Sequence, residues 1–524
     1  MAEYEIDLND LGSVGVISDV PGYLLPPEAW TTGHNIQFEE GMPKRRAGQT
    51  QSLGTPSVAP HFLLPVSGPT QVWWLYVNLA KAYLYDGSAH TEITRLAGDY
   101  AAIQTRDWNG TILGGIPILN NNFDLPQYWE SYNALVRLQD LLNFPSNYRA
   151  KVIRAFGPQL VAFNITKAGV IYPHNVLWSH TADPGTLPDS WDTSDTTKDT
   201  GENSLPDVDS GIILDAQMLR GNMYIGKENA IWRMRYVGGR FIFAFDTYLE
   251  TAGILAPRCI GNIGVLGQQA LWTQDDILVH NGSGQQSILS KKWKRTLFSQ
   301  IDTANYLNSF LFDNAAKQEM WFCYPSSGEV NPNRALVWNY SETSAFSTND
   351  VNFRNVAFAV VPVEDTEDWE ANSDDWEANN QQWETNDRRR GIVCNTDGTK
   401  FQALDKGLNR DGSAYTATLQ RTGLSIVGRK RTGEWIVDHK VMKTFKRVWI
   451  KLSGGPVQVR IGASMLVDGP ITWGTAQTFN PLTQTYVDIE PITGRAMAIE
   501  ISSTADVDWK LHGYKPEMNI GGYF

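Results

Sequence analysis

Residues 108–129, WNGTILGGIPILNNNFDLPQYW, decide the fold class. Residues 111–113 read as one short strand, Gly114-Gly115 as a break and 116–119 as a second strand. A turn of three asparagines follows, then a proline-anchored segment ending on Tyr128 and Trp129. The apolar positions run together instead of recurring every three or four residues, so no helix period fits them. Short strands, Gly- and Asn-rich turns and a large ring at the corner are what a blade of a radial β-sheet assembly requires.

Outward from this stretch the theme recurs without a strict repeat. QVWWLYVNLAKAYLYDGSAHTEIT (71–94) reads as two strands about an Asp86-Gly87 turn, and KVIRAFGPQLVAFNI (151–165) as a pair broken at Gly157-Pro158. Residues 211–245 hold four strands turning near 220–222, 227–229 and 238–239. Residues 269–289 turn at Asp275-Asp276 and again at 281–284, and 309–347 make four more strands. The expected architecture is all-β: a β-propeller core over 61–405, an extended N-terminal arm over 1–60 and a C-terminal β-sandwich or sheet over 406–524. The arm is rich in turn formers, has a basic knot at Lys44, Arg45 and Arg46, and should lie over other elements or over a neighbouring subunit. The C-terminal region opens on a basic linker, GRKRTGEW (428–435), and then alternates apolar and polar residues.

Residues 364–387, EDTEDWEANSDDWEANNQQWETND, carry ten acids and no base, with Trp369, Trp376 and Trp383 seven residues apart. One apolar position per heptad among poor helix formers is too thin a seam for a coiled coil. An exposed acidic loop inserted in the propeller domain, pinned by its indoles, is the plain reading. A loop offered to a partner is the sharper one, because Trp is favoured as an interface anchor.

The chain has 524 residues, enough to bury a large core without disulfides. Its 44 basic and 57 acidic side chains leave a formal charge of −13, which opposes a general grip on nucleic acid. Cys259, Cys323 and Cys394 are far apart and without zinc spacing, so a reduced site of folding is expected, with no metal and no cofactor. The acidic start is unlike a secretory signal, and no apolar run is long enough to span a bilayer.

No phosphate loop, zinc-protease helix or nucleophile elbow occurs. Asp275-Asp276 falls in a turn and would point to opposite faces on a strand, which is poor geometry for a glycosidase pair. Asn395–Gly398 has only a fragment of a calcium loop. His90, His174 and His280 sit in or beside turns and read as solvated or hydrogen-bonded. No catalytic residue is assigned, and the expectation is a scaffold or interaction protein, not an enzyme.

Several motifs in order resemble the tail nozzle proteins of short-tailed bacteriophages, also called tail tubular protein B. VPGYLLPPEAWTTGHNIQFEEGMPKRRAG (20–48) is similar to the family's opening, with Trp30, Asn35, Gly41, Arg46 and Gly48 at its marked positions. AYLYDGSAHTEITR (82–95) and 108–129 resemble the first blades, and 185–192, 221–239 and 493–501 continue the likeness. The resemblance implies a virion protein made in the host cytoplasm. It would form a hexameric ring at the distal end of a short non-contractile tail, bound to a head-to-tail adaptor ring, with tail fibres docking at its side. Genomic DNA would pass through the lumen without sequence-specific binding, past a wall that is acidic or neutral. Trp30, Arg45 and Arg46 are the expected assembly contacts, together with Trp369, Trp376 and Trp383, and the basic cluster at 429–447 should lie at an interface. Two other readings stay open: a virion-associated propeller that binds or cleaves host-surface glycans, and a monomeric intracellular scaffold.

Overall fold

The computed structural model describes residues 3–5, 7–130, 132–205, 208–239, 241–289, 292–341, 345–361, 389–396, 398–430 and 434–523. Trp369, Trp376 and Trp383 lie outside the described residues. The protein is all-β: among the described residues one short α-helix, Lys294–Gln300, interrupts an otherwise stranded chain.

Six separate four-stranded antiparallel sheets, and four strands at one end of a ten-stranded sheet, make seven blades. The first strands of the blades are Phe62–Ser67, Asn109–Leu113, Tyr148–Phe156, Ile213–Leu219, Ile260–Ile263, Phe310–Asn314 and Phe353–Val360. Each packs against the next and the last against the first, so they form the inner wall of a closed propeller. The 108–129 stretch holds three of the four strands of blade 2, the fourth being Gln139–Asp140: strands Asn109–Leu113 and Ile116–Asn120 meet at Gly114 and Gly115, both at positive φ. Only glycine adopts that pair of conformations without strain, which is why the break predicted from sequence is the turn.

Blades are held by apolar wedges between neighbours. Trp74, Tyr76 and Leu63 of blade 1 share a buried cluster with Ile392, Phe401 and Ala403 of blade 7, while Trp108, Leu119 and Trp129 of blade 2 pack on Leu75 and Leu84. Blade 7 takes three strands from 353–404 and its fourth, Gln49–Ser52, from the N-terminal segment, paired antiparallel with Phe401–Leu404. The ring is therefore closed by chain segments about 350 residues apart.

The N-terminal segment lies over the chain's own elements and is divided between both domains. Thr32–His34 pairs in parallel with the outer strand of blade 6 and antiparallel with Ala417–Leu424, so one sheet runs from the propeller into the sandwich. Ile36–Glu39 and Met42–Arg45 join Val441–Gly454, Tyr486–Gly494 and Trp509–Tyr523 in the second sheet of the sandwich. The extended N-terminal segment over 1–60 thus contributes strands to the sandwich and the closing strand to the propeller. One continuous core joins Leu8, Leu11, Trp30 and Ile36 to Trp272 and Phe322 of blades 5 and 6 and to Phe445, Ile499 and Trp509 of the sandwich.

Candidate functional site

Two places concentrate polar chemistry: the seam between propeller and sandwich, and the axis of the propeller. At the seam the family-like motif residues are structural. Trp30, 1% exposed, donates from Nε1 to Leu11 O at 2.7 Å and packs against Tyr514. Asn35 sits at φ +55°, a conformation that Asn tolerates better than most residues. Its Nδ2 donates to Thr416 O at 2.7 Å, and its Oδ1 accepts from the backbone N–H of Asp350 and from Arg410. Glu40 and Gly41, both at positive φ, make the hairpin turn. Gly48 runs so close to Asn409 that a Cβ there would stand 2.0 Å from its carbonyl oxygen.

Arg45 and Arg46 are buried beside these residues. Arg45 lies over the Tyr415 ring and donates to Val507 O at 3.2 Å. Arg46 grips Glu319 of blade 6 in two hydrogen bonds of 2.8 and 3.0 Å and stacks over Trp321. Arg46 and Glu319 are 4% and 1% exposed. Trp30, Arg45 and Arg46 are all buried against elements of their own chain. The basic cluster also divides, because Lys443 is buried and donates to Asp438 O and Arg495 O while Lys440 and Lys446 are exposed.

The other residues singled out from sequence separate cleanly. Asp275 and Asp276 lie in a turn and both ion-pair with Lys294, at 3.5 and 3.4 Å. His90 bridges Tyr76 and Leu53 O. His280 is 1% exposed, bonds to Gln269 at 3.1 Å and lies against Tyr224 and Tyr248. Cys259, Cys323 and Cys394 are free and buried, and burial pushes their thiols up. Among the described residues no cluster of His, Cys, Asp or Glu is placed to hold a metal ion, and no helix is long and apolar enough to cross a membrane.

Burial lowers the His280 pKa from 6.5 to about 4. Between those values the unfolded chain binds a proton at this position and the folded chain does not, so stability falls as pH drops from 6.5 to 4. The loss is of the order of 3 kcal/mol for a group this buried. The His280→Gln variant is expected to flatten that part of the profile, read as a smaller difference between urea midpoints at pH 7 and pH 4.5. Equal differences in the two proteins would exclude His280 as the titrating group.

The second place was not singled out from sequence. Lys151 and Arg154 on the first strand of blade 3, Asp215 on that of blade 4 and Arg258 at the entry to blade 5 converge at the propeller axis. They line a cavity of about 300 Å³ with Asp107, Trp108, Glu228 and Tyr306. Arg154 ion-pairs with Asp215 at 2.5 Å and donates to Ala216 O, bracing blade 3 to blade 4. The Asp215 carboxylate also accepts the Arg258 N–H at 2.9 Å. Charged residues within apolar inner strands, as in KVIRAF and ILDAQ, are the only local signal of this site.

No protein-family model matches the chain, and no curated protein matches it. Solved structures give distant likenesses. A quinoprotein alcohol dehydrogenase-like protein from Bacteroides thetaiotaomicron is 9% identical with a TM-score of 0.32, over 55% of this chain and 65% of that one. PorZ, a surface component of the type-IX secretion system of Porphyromonas gingivalis, is 10% identical with a TM-score of 0.34, over 84% of this chain and 55% of that one. An exo-β-1,3-galactanase from Phanerochaete chrysosporium is 9% identical with a TM-score of 0.29, over 81% and 98%. The chain thus spans just under two thirds of the first protein and about half of the second. Likeness at this level carries no information on ligand or activity.

Proposed function

We propose that the protein is a structural subunit of a short non-contractile phage tail: the distal nozzle, a homo-oligomeric ring whose lumen retains and later passes the genome. In this reading the ring is a hexamer that binds a head-to-tail adaptor, fibres dock on its side, and the protein is not an enzyme. The observation that carries it is where the nozzle-like opening motif falls. Of its residues Asn35 and Arg46 fasten blade 6 to the sandwich side, Trp30 sits in the core that both share, Gly41 closes a sandwich hairpin and Gly48 lies against Asn409. A wall subunit under load needs its domains to move as one, and a sheet whose hydrogen bonds run through Thr32–His34 from blade 6 into the sandwich supplies that stiffness. The lumen wall is expected to be acidic or neutral, because a continuous cationic band would hold phosphates by counterion release.

Electron microscopy of the purified full-length chain, alone and mixed with the adaptor ring, tests this. Rings with a central hole are expected. A chain that stays monomeric in both conditions would overturn the reading.

One feature favours a second reading, a virion-associated propeller that binds host-surface glycans. The axial cavity sets Trp108 and Tyr306 beside Asp107, Asp215 and Glu228. These carboxylates already accept hydrogen bonds from Ile103, Gln104, Ala216, Arg258 and Ile212 N–H groups, which suits binding better than hydrolysis. Reproducible glycan cleavage by the purified chain would transfer the assignment to an enzyme.

A further inference from the structure

The axial cavity is unbalanced in hydrogen-bonding capacity. The Arg258 guanidinium makes no hydrogen bond or ion pair, and its Nε and Nη1 are buried; it lies over the Phe310 ring, 5.2 Å away, and feels the Asp215 carboxylate only through space. Lys151 Nζ also has neither a hydrogen bond nor an ion pair, and burial lowers its pKa, with Glu228 partly opposing that. Trp108 Nε1 is a further buried donor without an acceptor in the same wall, whereas Lys151 is only half-buried. The acceptors are partly engaged: Asp107 takes the Ile103 and Gln104 N–H groups on Oδ2, Glu228 takes that of Ile212 on Oε2, and Asp215 takes those of Ala216 and Arg258 together with the Arg154 guanidinium. Arg106 donates to Asn308 across the mouth. Four cations, Arg106, Lys151, Arg154 and Arg258, therefore face three carboxylates, an excess of positive charge.

Leaving a guanidinium buried without an acceptor costs several kcal/mol. Arg258 also holds a backbone φ of +65°, outside the region that a side-chain-bearing residue prefers. Strain and an unmet charge at one position are retained where the site does something with them. The donors approach from different walls: Lys151 from blade 3, Arg258 from the entry to blade 5 and Trp108 from the entry to blade 2. A point-like ammonium and a planar guanidinium lining one cavity suit a tetrahedral oxyanion, which accepts hydrogen bonds on several sides, better than a planar carboxylate.

We propose that the axial cavity of the propeller binds a small oxyanion of the phosphate class between Lys151 and Arg258. The anion is a free phosphate ion or the phosphate ester of a larger molecule, and the site is independent of the nozzle reading. It offsets the excess positive charge of the wall and ties blades 3 and 5 together across the axis.

Isothermal titration calorimetry on the full-length chain, with inorganic phosphate and separately with glycerol 3-phosphate at constant ionic strength, tests the site. Saturable one-to-one binding of at least one of them is expected, and which one binds identifies the source of the anion. The Lys151→Met variant is expected to bind about tenfold more weakly, the loss of one charge-assisted hydrogen bond. Lys446→Met, at an exposed position in the sandwich, should bind as the parent does. Arg258→Gln should abolish binding, and if that variant fails to fold the Lys151→Met and Lys446→Met pair decides alone. No saturable binding of either ligand, or equal affinity in Lys151→Met and the parent, would overturn the proposal.

Discussion

A chain lacking residues 1–52 is expected to lose the propeller and the sandwich together. The deletion removes the outer strand of blade 7, whose partners Phe401–Leu404 are then an open edge. It also removes Leu8, Leu11, Val16, Trp30, Ile36 and Phe38 from the shared core. Burying one such side chain contributes about 1.5–3 kcal/mol. Six of them reach the whole of the roughly 5–15 kcal/mol that holds an ordinary domain together. The truncated chain should show no cooperative thermal transition by circular dichroism. A single substitution probes the same closure: Gly48→Val forces a side chain into the Asn409 backbone, 2.0 Å from the Cβ position, and should lower the melting temperature steeply. If the truncated chain melts as sharply as the parent, the N-terminal segment is an appendage and the closure described here is wrong.

The second large effect is expected at Arg46 and Glu319. Both are almost fully buried, and each satisfies the other through two hydrogen bonds. Arg46→Met alone leaves the Glu319 carboxylate in the core with only the Trp321 indole N–H, and Glu319→Met alone leaves the guanidinium with only Ile36 O at 3.5 Å and Asp405 at 4.0 Å. Either single change should destabilise by about 3–5 kcal/mol, the usual result of orphaning one member of a buried pair. The double variant should recover much of that, because two apolar side chains need no partner there. Urea unfolding of the four proteins gives the coupling energy directly. Additive losses would mean that the pair is not a unit, and that packing over Trp321 holds Arg46 instead.

The strand order inside the blades was legible because turn chemistry is local. The four strands of 211–245 turn at Arg220-Gly221, both at positive φ, at 228–230 and around Gly238 and Gly239. The Asp86-Gly87 turn is held by Asp86 Oδ1, which accepts the Ser88 and Ala89 N–H groups. A missed turn is equally instructive. Residues 71–94 hold three strands instead of two, because Asn78 Oδ1 caps the Ala80 and Lys81 N–H groups and bends the chain without a glycine. Blade number was not legible, since the blades share a shape and no sequence period.

What the sequence by itself determined is the all-β character, the pairing of neighbouring strands in several blades, most fully over 211–245, and the change of pattern near residue 406. All of these follow from the alternation and turn residues of contiguous segments. Only the tertiary structure decided that Gln49–Ser52 closes blade 7, that Thr32–His34 carries one sheet across both domains, and that Arg45 and Arg46 face inward. It alone gathered Lys151, Asp215 and Arg258 at the axis. Those groups lie tens to hundreds of residues apart, and a pairing between distant segments depends on how the ring closes in three dimensions, for which no local stretch of chain carries a signal.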